Sequence, residues 1–423
     1  MTYIRRIIDD KLDQLVPQLA AIAIEGAKGV GKTATAQQRA ASVFDMTVSQ
    51  QRLVLEADTS LLATAQPPVL VDEWQLVPAT WDQVKRCVDD DPSGGRFLLT
   101  GSATPGPGVR IHSGAGRIVS FLLRPLSLPE RGIATPSVSL RDQLTGGTPA
   151  ISGQSSVRLP EYAEEIVASG FPGIRQLPRQ ARRLQLDSYL RRVVDRDLAD
   201  NGVVVRQPTA LTQWLTAYAA ATATTASYST ILDAATPGEG DKPARQSVSV
   251  YREALERQFL LEPLPAWLPA MSPLRRLAQA PKHHLVDPAL AARLLSVDVD
   301  SLLKGEGQTI QVKDGPLLGA LFESLAVQTV RVLAQANDAT VWHLRTKGGE
   351  HEVDIIVQGD DGRVVAYEVK LNPAVSDKET VHLRWLRDQW PQKVADVAVI
   401  TTGEWAYRRA DGVAMVPLAL LGV

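Results

Sequence analysis

The chain has 423 residues, of which 44% are hydrophobic, and this is enough apolar material to bury more than one core. At about 150 residues per domain, the length predicts roughly three domains. The 45 Lys and Arg residues against 47 Asp and Glu residues give a formal net charge of -2, which excludes a uniformly basic nucleic-acid coat but allows a local basic patch. The single cysteine, Cys87, excludes an internal disulfide framework and a Cys-based zinc site.

The first residues and the lengths of the apolar runs indicate in which cellular compartment the protein is expected. The segment MTYIRRIIDDKLDQLVPQL alternates charged with apolar residues and lacks the apolar stretch of a signal peptide. The sequence has no run of about 18 uninterrupted apolar residues, and its single cysteine fits a reducing compartment. We therefore expect a soluble, cytoplasmic protein with no membrane partner.

The first third of the chain alternates short apolar runs with helix-length or turn-rich segments. The runs are predicted strands at residues 21–24, 52–55, 69–71, 97–100 and 118–123. Five short strands with intervening helices favour a mostly parallel sheet that is covered on both faces. The sequence therefore predicts an α/β domain over the first third of the chain, with its end at residue 133.

The octet GAKGVGKT follows the first predicted strand and opens a helix-compatible segment. It matches the P-loop (Walker A) pattern, in which backbone N–H groups point at phosphate oxygens. Lys32 is predicted to reach the β- and γ-phosphates, and Thr33 is predicted to offer its hydroxyl to Mg²⁺. The predicted nucleotide-binding residues are Gly26, Ala27, Lys28, Gly29, Val30, Gly31, Lys32 and Thr33.

Two further predicted strands end in polar residues. The run VLVDE places Asp72 at the carboxyl edge of the sheet, where P-loop proteins hold Mg²⁺, and Glu73 is positioned to polarise a water for attack on the γ-phosphate. The run FLLTGS, expected on a strand between the other two, aims Thr100 or Ser102 at the attacking water or the γ-phosphate. The catalytic candidates are thus Lys32, Glu73 and Thr100, with Mg²⁺ as a cofactor.

The order of these motifs resembles that of bacterial AAA-type ATPases that carry a domain of unknown function, DUF4143, after the ATPase core. The resemblance rests on GAKGVGKT, VLVDEWQLVP, FLLTGSA, SGAGRI, RPLSLPE, GFPG and YLRRVVDRDL, and it covers most of the chain. It implies ATP as the nucleotide and a winged helix in the middle region. In such ATPases an arginine near the end of the core often completes a neighbouring subunit's site. The resemblance therefore implies a homo-oligomer, with Arg117 as the first candidate finger and Arg124 as the second; an ordinary surface arginine is the alternative for each.

The middle of the chain is predicted to be helical and rich in arginine. Residues 134–160 are rich in Ser, Thr, Gly and Pro and are expected to form a linker or insertion. Helical periodicity followed by an extended segment predicts a helical and winged-helix region over residues 161–265. Arginines such as Arg183, Arg191 and Arg252 are suited to DNA phosphates, but neighbouring Asp and Glu make a salt-bridged helix surface the alternative.

Residues 282–423 are predicted to form a compact α/β domain of a helix, three strands, a helix and a strand. Asp354 and Glu368 on adjacent strands are placed to share a divalent metal, and Lys370 faces the same side as Glu368. A metal and a lysine are what phosphodiester hydrolysis needs. The arrangement resembles the restriction-endonuclease-like PD-(D/E)xK nucleases, with Glu323 at the helical acidic position and valine where the family usually has proline before its aspartate.

Three functional hypotheses follow. The first is an AAA-type ATPase that hydrolyses ATP with Mg²⁺ and uses its nucleotide state to control a DNA-binding, nuclease-like carboxyl-terminal region. The second is a metal-dependent DNA nuclease with a regulatory ATPase, and the third is a nucleotide-gated interaction protein without nuclease activity. Assays of ATP hydrolysis with and without DNA, and of metal-dependent cleavage, distinguish the three.

Overall fold

The fold has a parallel sheet near the amino terminus, a helical middle and a mixed sheet near the carboxyl terminus. It is a computed structural model, and the prediction of an α/β fold with a parallel-sheet core is confirmed. The residues that it describes are 3–103, 114–200, 202–203, 205, 207–235, 245–267, 280–304, 317–346 and 348–423.

The first sheet has five parallel strands in the order β2-β3-β4-β1-β5. The strands are β1 (Ala21–Glu25), β2 (Ser42–Asp45), β3 (Val69–Asp72), β4 (Phe97–Gly101) and β5 (Ile118–Leu122). As expected from the sequence, β4 lies between β1 and β3, and Thr100 pairs with Ile24. The residues that follow β1, β3 and β4 therefore meet at one carboxyl edge.

Five helices accompany this sheet in the described part of the domain. They are α1 (Ile8–Leu15), α2 (Lys32–Gln37), α3 (Ser49–Ala57), α4 (Leu61–Thr64) and α5 (Ala79–Asp90). The strand predicted at residues 52–55 was wrong, because that apolar run lies in α3 and the second strand is β2. Leu55 alone of α3 is buried, whereas Leu53 and Val54 are exposed, which suits a surface helix and not a covered strand.

The segment 134–160 is folded onto the carboxyl-terminal domain, unlike the linker or insertion expected from its composition. It contains β6 (Val138–Ser139), α6 (Leu140–Thr145) and β7 (Gly153–Gln154). On α6, the Gln143 side chain donates to Asp396 at 3.1 Å and accepts from the Tyr367 hydroxyl at 2.6 Å. The polar composition therefore reflects turns and buried hydrogen bonds.

The middle region is helical, and a π-helical turn, Val193–Asp197, interrupts it. Its helices are α7 (Leu159–Ala168), α8 (Pro172–Arg175), α9 (Arg179–Arg192), α10 (Leu198–Asp200), α11 (Pro208–Ala220), α12 (Tyr228–Ala235) and α13 (Arg245–Arg257). Two extended segments follow α13: the first arm contains Leu261 and Leu264, and the second arm contains Lys282 and Leu285. The arms pair through antiparallel bridges, Leu261 with Leu285 and Leu264 with Lys282. The second of these arms lies beyond residue 265, the end predicted for the helical and winged-helix region.

The second sheet has the strand order β7-β12-β13-β11-β10-β9-β8. Strands β8, β9 and β10 are antiparallel, and β10 and β11 are parallel. A short separate pairing joins β14 to β6. The helices are α14 (Pro288–Leu294), α15 (Val299–Lys304), α16 (Leu317–Ala336) and α17 (Val381–Gln389), and the strands are β8 (Thr340–Arg345), β9 (Glu352–Gln358), β10 (Val364–Val369), β11 (Val394–Thr401), β12 (Trp405–Arg408), β13 (Ala414–Pro417) and β14 (Leu421–Gly422).

One hydrophobic core runs through all three regions. It includes Leu12 of α1, Ile24 of β1, Trp214 of α11, Phe322 of α16 and Leu421 of β14. Smaller cores cover the other faces of the two sheets. The first sheet, the middle helices and the second sheet therefore pack against one another as a single body.

Among the described helices, α16 alone is long and apolar enough to cross a membrane by length and composition. Of its most apolar window, 78% is buried inside the protein. Its hydrophobic character is that of an interior helix, because it packs against α14 and the second sheet.

Candidate functional site

The P-loop turns tightly between β1 and α2, and two of its glycines have a steric reason to be there. At Gly26, φ is 146° and a Cβ would lie 2.2 Å from the carbonyl oxygen of Leu123. At Gly31, immediately before α2, φ is 101°, a conformation that other residues rarely adopt. The sequence thus folds into the close-wrapped loop that phosphate binding requires.

Lys32 is held inside this loop. Its buried ammonium donates to the carbonyl oxygens of Gly26 and Ala27 at 2.9 and 3.0 Å. Burial lowers the pKa of Lys32 to about 8, although Glu73 and Asp72 act to raise it. A bound phosphate would offer this ammonium a full negative charge in place of two neutral carbonyls.

The Walker A threonine and the Walker B aspartate are in direct contact. The Thr33 hydroxyl donates to Oδ1 of Asp72 at 2.7 Å, and the Thr100 hydroxyl donates to the same oxygen. Burial raises the pKa of Asp72, and these two hydrogen bonds oppose that effect. Hydroxyl and carboxylate oxygens are the ligands that Mg²⁺ prefers, so Thr33 and Asp72 fit the ion that the P-loop fold implies.

Glu73 follows β3 with a left-handed backbone, at φ 54°. Its Oε2 accepts a hydrogen bond from the Ser102 hydroxyl at 2.8 Å and another from the Gln75 amide. Its backbone N–H donates to the Thr100 hydroxyl at 3.2 Å. The structure therefore gathers the predicted metal ligand, base and hydroxyl residues at one sheet edge, and Ser102 is the hydroxyl that contacts the Glu73 carboxylate.

A cavity of about 520 Å³ opens beside the P-loop, next to Lys28 and Gly29. Phe171 of the GFPG motif and Tyr189 of α9 line it, with their ring centroids 5.1 Å apart. Its size, and a lining that combines these rings with polar side chains such as Asp197, suit the base of a nucleotide whose phosphates occupy the loop. Two motifs that supported the family resemblance, GFPG and YLRRVVDRDL, thus meet at this cavity.

An ion pair crosses from the P-loop to the middle region. The Lys28 ammonium lies 2.6 Å from the carboxylate of Asp197, the last residue of the π-helical turn. The side-chain amide of Gln258 donates to the carbonyl oxygen of Asp197 at 3.0 Å. π-Helical turns are frequent at functional sites. Sequence reasoning missed Asp197 because it lies 169 positions from Lys28.

The two candidate finger arginines have different surroundings. Arg117 is half exposed and donates to Asp89 at 2.8 Å; Ser113, the first residue of its motif, lies outside the described residues. The guanidinium of Arg124 is largely buried and donates to Glu262 and Gln335 of its own chain. An arginine finger would contact the nucleotide of a neighbouring subunit, whereas these contacts of Arg124 link the first sheet to the rest of its own chain.

Arg6 links the P-loop to the RPLSLPE motif. It donates to the carbonyl oxygens of Val30 and Arg124 at 2.9 and 2.7 Å, and it pairs with Glu130 at 3.0 Å. Both side chains of this pair are 2% exposed. Glu130 lies in the RPLSLPE motif, but no motif marks Arg6, so sequence reasoning did not find it.

The arginines predicted to meet DNA fall into two groups. Arg252 lies over the Tyr228 ring at 4.5 Å and is 3.7 Å from Glu256, as in the salt-bridged alternative. Arg183, Arg191 and Arg192 on α9 are exposed. The side chain of Arg245, the first residue of α13, lies outside what the structure describes.

The four residues predicted for a nuclease site do lie together, but with an unpredicted lysine. Lys370 pairs with Glu368 at 2.7 Å, and Asp354 accepts from the backbone of Val369. The Lys282 ammonium lies 2.9 Å from Glu323 and 2.8 Å from Asp354. Burial and the charge of Asp354 raise the pKa of both Glu323 and Glu368 to about 8, against the lowering effect of the lysines. Across the described residues, no set of three or more metal-ligating side chains is arranged to hold a metal ion.

Comparison with known proteins places this geometry in a family context. Three family models match the chain in order: an AAA domain over residues 18–131, a domain of unknown function (DUF8612) over residues 159–301, and a domain of unknown function (DUF4143) over residues 318–421. These matches span the ATPase sheet, the middle helices and the second sheet in turn.

The chain is also similar to whole proteins. "Uncharacterized protein Mb2031c" of Mycobacterium bovis and "Uncharacterized protein Rv2008c" of Mycobacterium tuberculosis are each 24% identical over 420 residues, covering 98% of this chain and 83% of theirs. The solved structure of the Walker-type ATPase PABY2304 of Pyrococcus abyssi aligns at 14% identity and a TM-score of 0.40, over 68% of this chain and 94% of that one. The family matches confirm the predicted architecture: the chain has an AAA domain that is followed, later in the sequence, by a DUF4143 domain.

Proposed function

We propose that this protein hydrolyses ATP with Mg²⁺ at the P-loop. The observation that carries the proposal is the contact between the Walker motifs, where the Thr33 hydroxyl lies 2.7 Å from Asp72 and Glu73 is held beside it. A phosphate loop, an oxygen pair for Mg²⁺ and a carboxylate base at one sheet edge are the parts that phosphoryl transfer to water requires.

The residues divide the reaction between them. Lys32 and the loop amides bind the phosphates, while Thr33 and Asp72 would hold Mg²⁺, which would supply positive charge to the phosphates. Glu73 orients the attacking water and accepts its proton, and Ser102 keeps that carboxylate in place. Thr100 fixes the orientation of Asp72.

Replacing Lys32 by alanine is expected to weaken ATP binding about ten- to a hundredfold, because a hydrogen bond to a charged group contributes about 1.5–3 kcal/mol. Wild-type affinity is expected to fall as the pH rises above the Lys32 pKa of about 8, since the phosphates bind the charged ammonium, and the variant is expected to lack this fall. Calorimetric titration with Mg-ATP between pH 7 and 9.5 measures both effects. Lys378→Ala, at an exposed lysine of the second domain, is the matched control. Equal ATP affinity in Lys32→Ala and wild type would contradict the proposal.

Nucleotide state is transmitted to the middle region through Lys28 and Asp197. Both a phosphate and the Asp197 carboxylate are partners for the Lys28 ammonium, so ATP competes with the ion pair. Loss of this pair frees the π-helical turn, which also carries the contact with Gln258, the residue that follows α13. This is the route by which ATP binding would reposition helices outside the ATPase core.

Asp197→Asn is expected to tighten ATP binding about two- to fivefold, because it removes the competitor of the phosphates in a pair worth at most about 1 kcal/mol. Asp195→Asn, on the same turn with an exposed side chain, is expected to leave the affinity unchanged. The dissociation constant of a fluorescent ATP analogue measures both. An Asp197→Asn variant with unchanged or weaker binding would exclude the competition.

Assembly and DNA contact are the finer parts of this proposal. The half-exposed Arg117 is the residue that would reach a neighbouring subunit's site, and a size measurement with ATP bound tests it. The exposed arginines Arg183 and Arg191 would meet DNA phosphates, which predicts hydrolysis that is stimulated by DNA. The single buried thiol of Cys87 fits a cytoplasmic location.

A further inference from the structure

Lys282 lies at the centre of a cluster of carboxylates in the carboxyl-terminal domain. Its ammonium lies 2.9 Å from Glu323 of α16, 3.1 Å from Glu352 of β9 and 2.8 Å from Asp354, also on β9. Its side chain is 2% exposed. One cation thus contacts three carboxylates that come from a helix and a strand.

The position of Lys282 is set by the fold. It begins the second extended arm, and its backbone exchanges hydrogen bonds with Leu264 of the first arm at 2.8 and 2.9 Å. The first arm continues to Trp267, whose backbone N–H donates to His343 of β8. The arms therefore anchor the ammonium against the second sheet.

A divalent ion does not fit beside this lysine. Each oxygen of Asp354 already has a partner, one being the Lys282 ammonium and the other the backbone N–H of Val369. On Glu368, Oε1 is paired with Lys370, so among the described residues Oε2 is the one carboxylate oxygen of Asp354 and Glu368 that is left without a hydrogen-bond partner, and one oxygen is few for a divalent ion. A metal bound to Asp354 would have to take the oxygen that the Lys282 ammonium contacts at 2.8 Å, and the displaced ammonium would stay buried beside it as a like charge.

The same carboxylates would suit a metal if the lysine were absent. Buried acidic groups need a positive partner, and the ammonium and a hard divalent cation meet that need with similar oxygen contacts. We propose that Lys282 is the built-in counter-cation of this cluster: its ammonium takes the position of the divalent ion predicted from Asp354 and Glu368, so the wild-type domain binds no Mg²⁺ or Mn²⁺ there. The acidic residues then serve to fix the two arms on the second sheet, and this assignment is independent of ATP hydrolysis.

Binding of Mn²⁺ to the full chain without nucleotide, followed by electron paramagnetic resonance, tests the proposal. Wild type and Glu368→Gln are expected to bind the same number of ions with the same affinity, because neither offers a site in the second domain. Lys282→Met is expected to gain one ion with an affinity at least tenfold above any that wild type shows at this cluster. The double variant Lys282→Met/Glu368→Gln is expected to lose that gain. Lys378→Met, at an exposed lysine, should behave as wild type.

Thermal unfolding supplies a second readout. Lys282→Met is expected to melt below wild type and to recover with Mn²⁺, whereas wild type and Lys378→Met should show equal, smaller responses. If wild type binds a Mn²⁺ ion that Glu368→Gln does not bind, the proposal is overturned. This comparison tests the proposal even if Lys282→Met does not fold. A folded Lys282→Met variant that gains no ion overturns it as well.

Discussion

Replacing Glu73 by glutamine is expected to lower the turnover number for ATP by about 10²- to 10⁴-fold, the range that a general base contributes. The amide keeps the size of the carboxylate and can still accept from the Ser102 hydroxyl, but it cannot take a proton from the attacking water. Because Lys32, Thr33 and Asp72 remain in place, the dissociation constant for ATP should stay within about twofold of wild type. Steady-state phosphate release and calorimetric ATP binding measure the two quantities separately.

The matched control for this variant is Glu56→Gln, at an exposed glutamate on α3 of the same domain. It should leave both turnover and affinity at their wild-type values. Normal turnover in Glu73→Gln would remove this residue from the role of base. A joint loss of turnover and ATP binding would instead mean that the substitution had disturbed the P-loop edge.

Replacing Glu262 by alanine is expected to lower the free energy of unfolding by about 3–5 kcal/mol, the cost of leaving buried charges without their partner. The Glu262 carboxylate lies 2.6 Å from Arg124, which follows β5, and 3.4 Å from Arg331 of α16. Removal of the carboxylate takes the acidic partner from both guanidinium groups at the junction of the first sheet and the rest of the protein. Urea unfolding followed by circular dichroism measures the loss.

This stabilisation should depend on pH. Burial acts to raise the pKa of Glu262, but Arg124 and Arg331 lower it below the ordinary value. A depressed carboxylate pKa stabilises the fold above the unfolded-state pKa of about 4.3, and the contribution is lost as the pH falls through the folded pKa. The difference between wild type and Glu262→Ala should therefore be constant near neutral pH and shrink only in acid.

Glu404→Ala is the control, because the Arg158–Glu404 pair has both side chains at least 35% exposed. Exposed pairs contribute about 0–1 kcal/mol, so this variant should unfold close to wild type. If Glu262→Ala were no less stable than Glu404→Ala, the junction would not depend on its ion pairs, and the shared hydrophobic core alone would hold the regions together.

The residues at the carboxyl edge of the first sheet could be predicted from the sequence because each motif is formed by residues that are close together in the chain. Walker A and Walker B residues follow strands directly, and parallel strands deliver their ends to one edge. The prediction of a strand at residues 52–55 was wrong for an equally local reason: three consecutive apolar residues without longer periodicity fit a strand or a turn of helix alike. The helix became clear only from the exposure of Leu53 and Val54.

The long-range contacts could not be predicted in this way. Lys28 and Asp197 are 169 positions apart, and Lys282 and Asp354 are 72 apart, with nothing in the intervening sequence that specifies either distance. The acids of the second domain were identifiable by type and spacing. Lys282, which pairs with Glu323 and Asp354, belongs to another segment, so its contacts could not be predicted from their spacing.

The pairings of β6 and β7 bear on the order in which the chain can fold. These strands precede the middle helices in sequence, yet β7 pairs with β12 and β6 pairs with β14. The middle region is therefore an insertion within the carboxyl-terminal domain, not a spacer between two domains. During synthesis, residues 138–154 cannot form their strand pairs until strands more than 250 residues later have been made. The carboxyl-terminal domain therefore has a high contact order, and we expect it to complete its folding last. A fragment that begins after the middle region would lack one edge strand and the helix that covers Asp396.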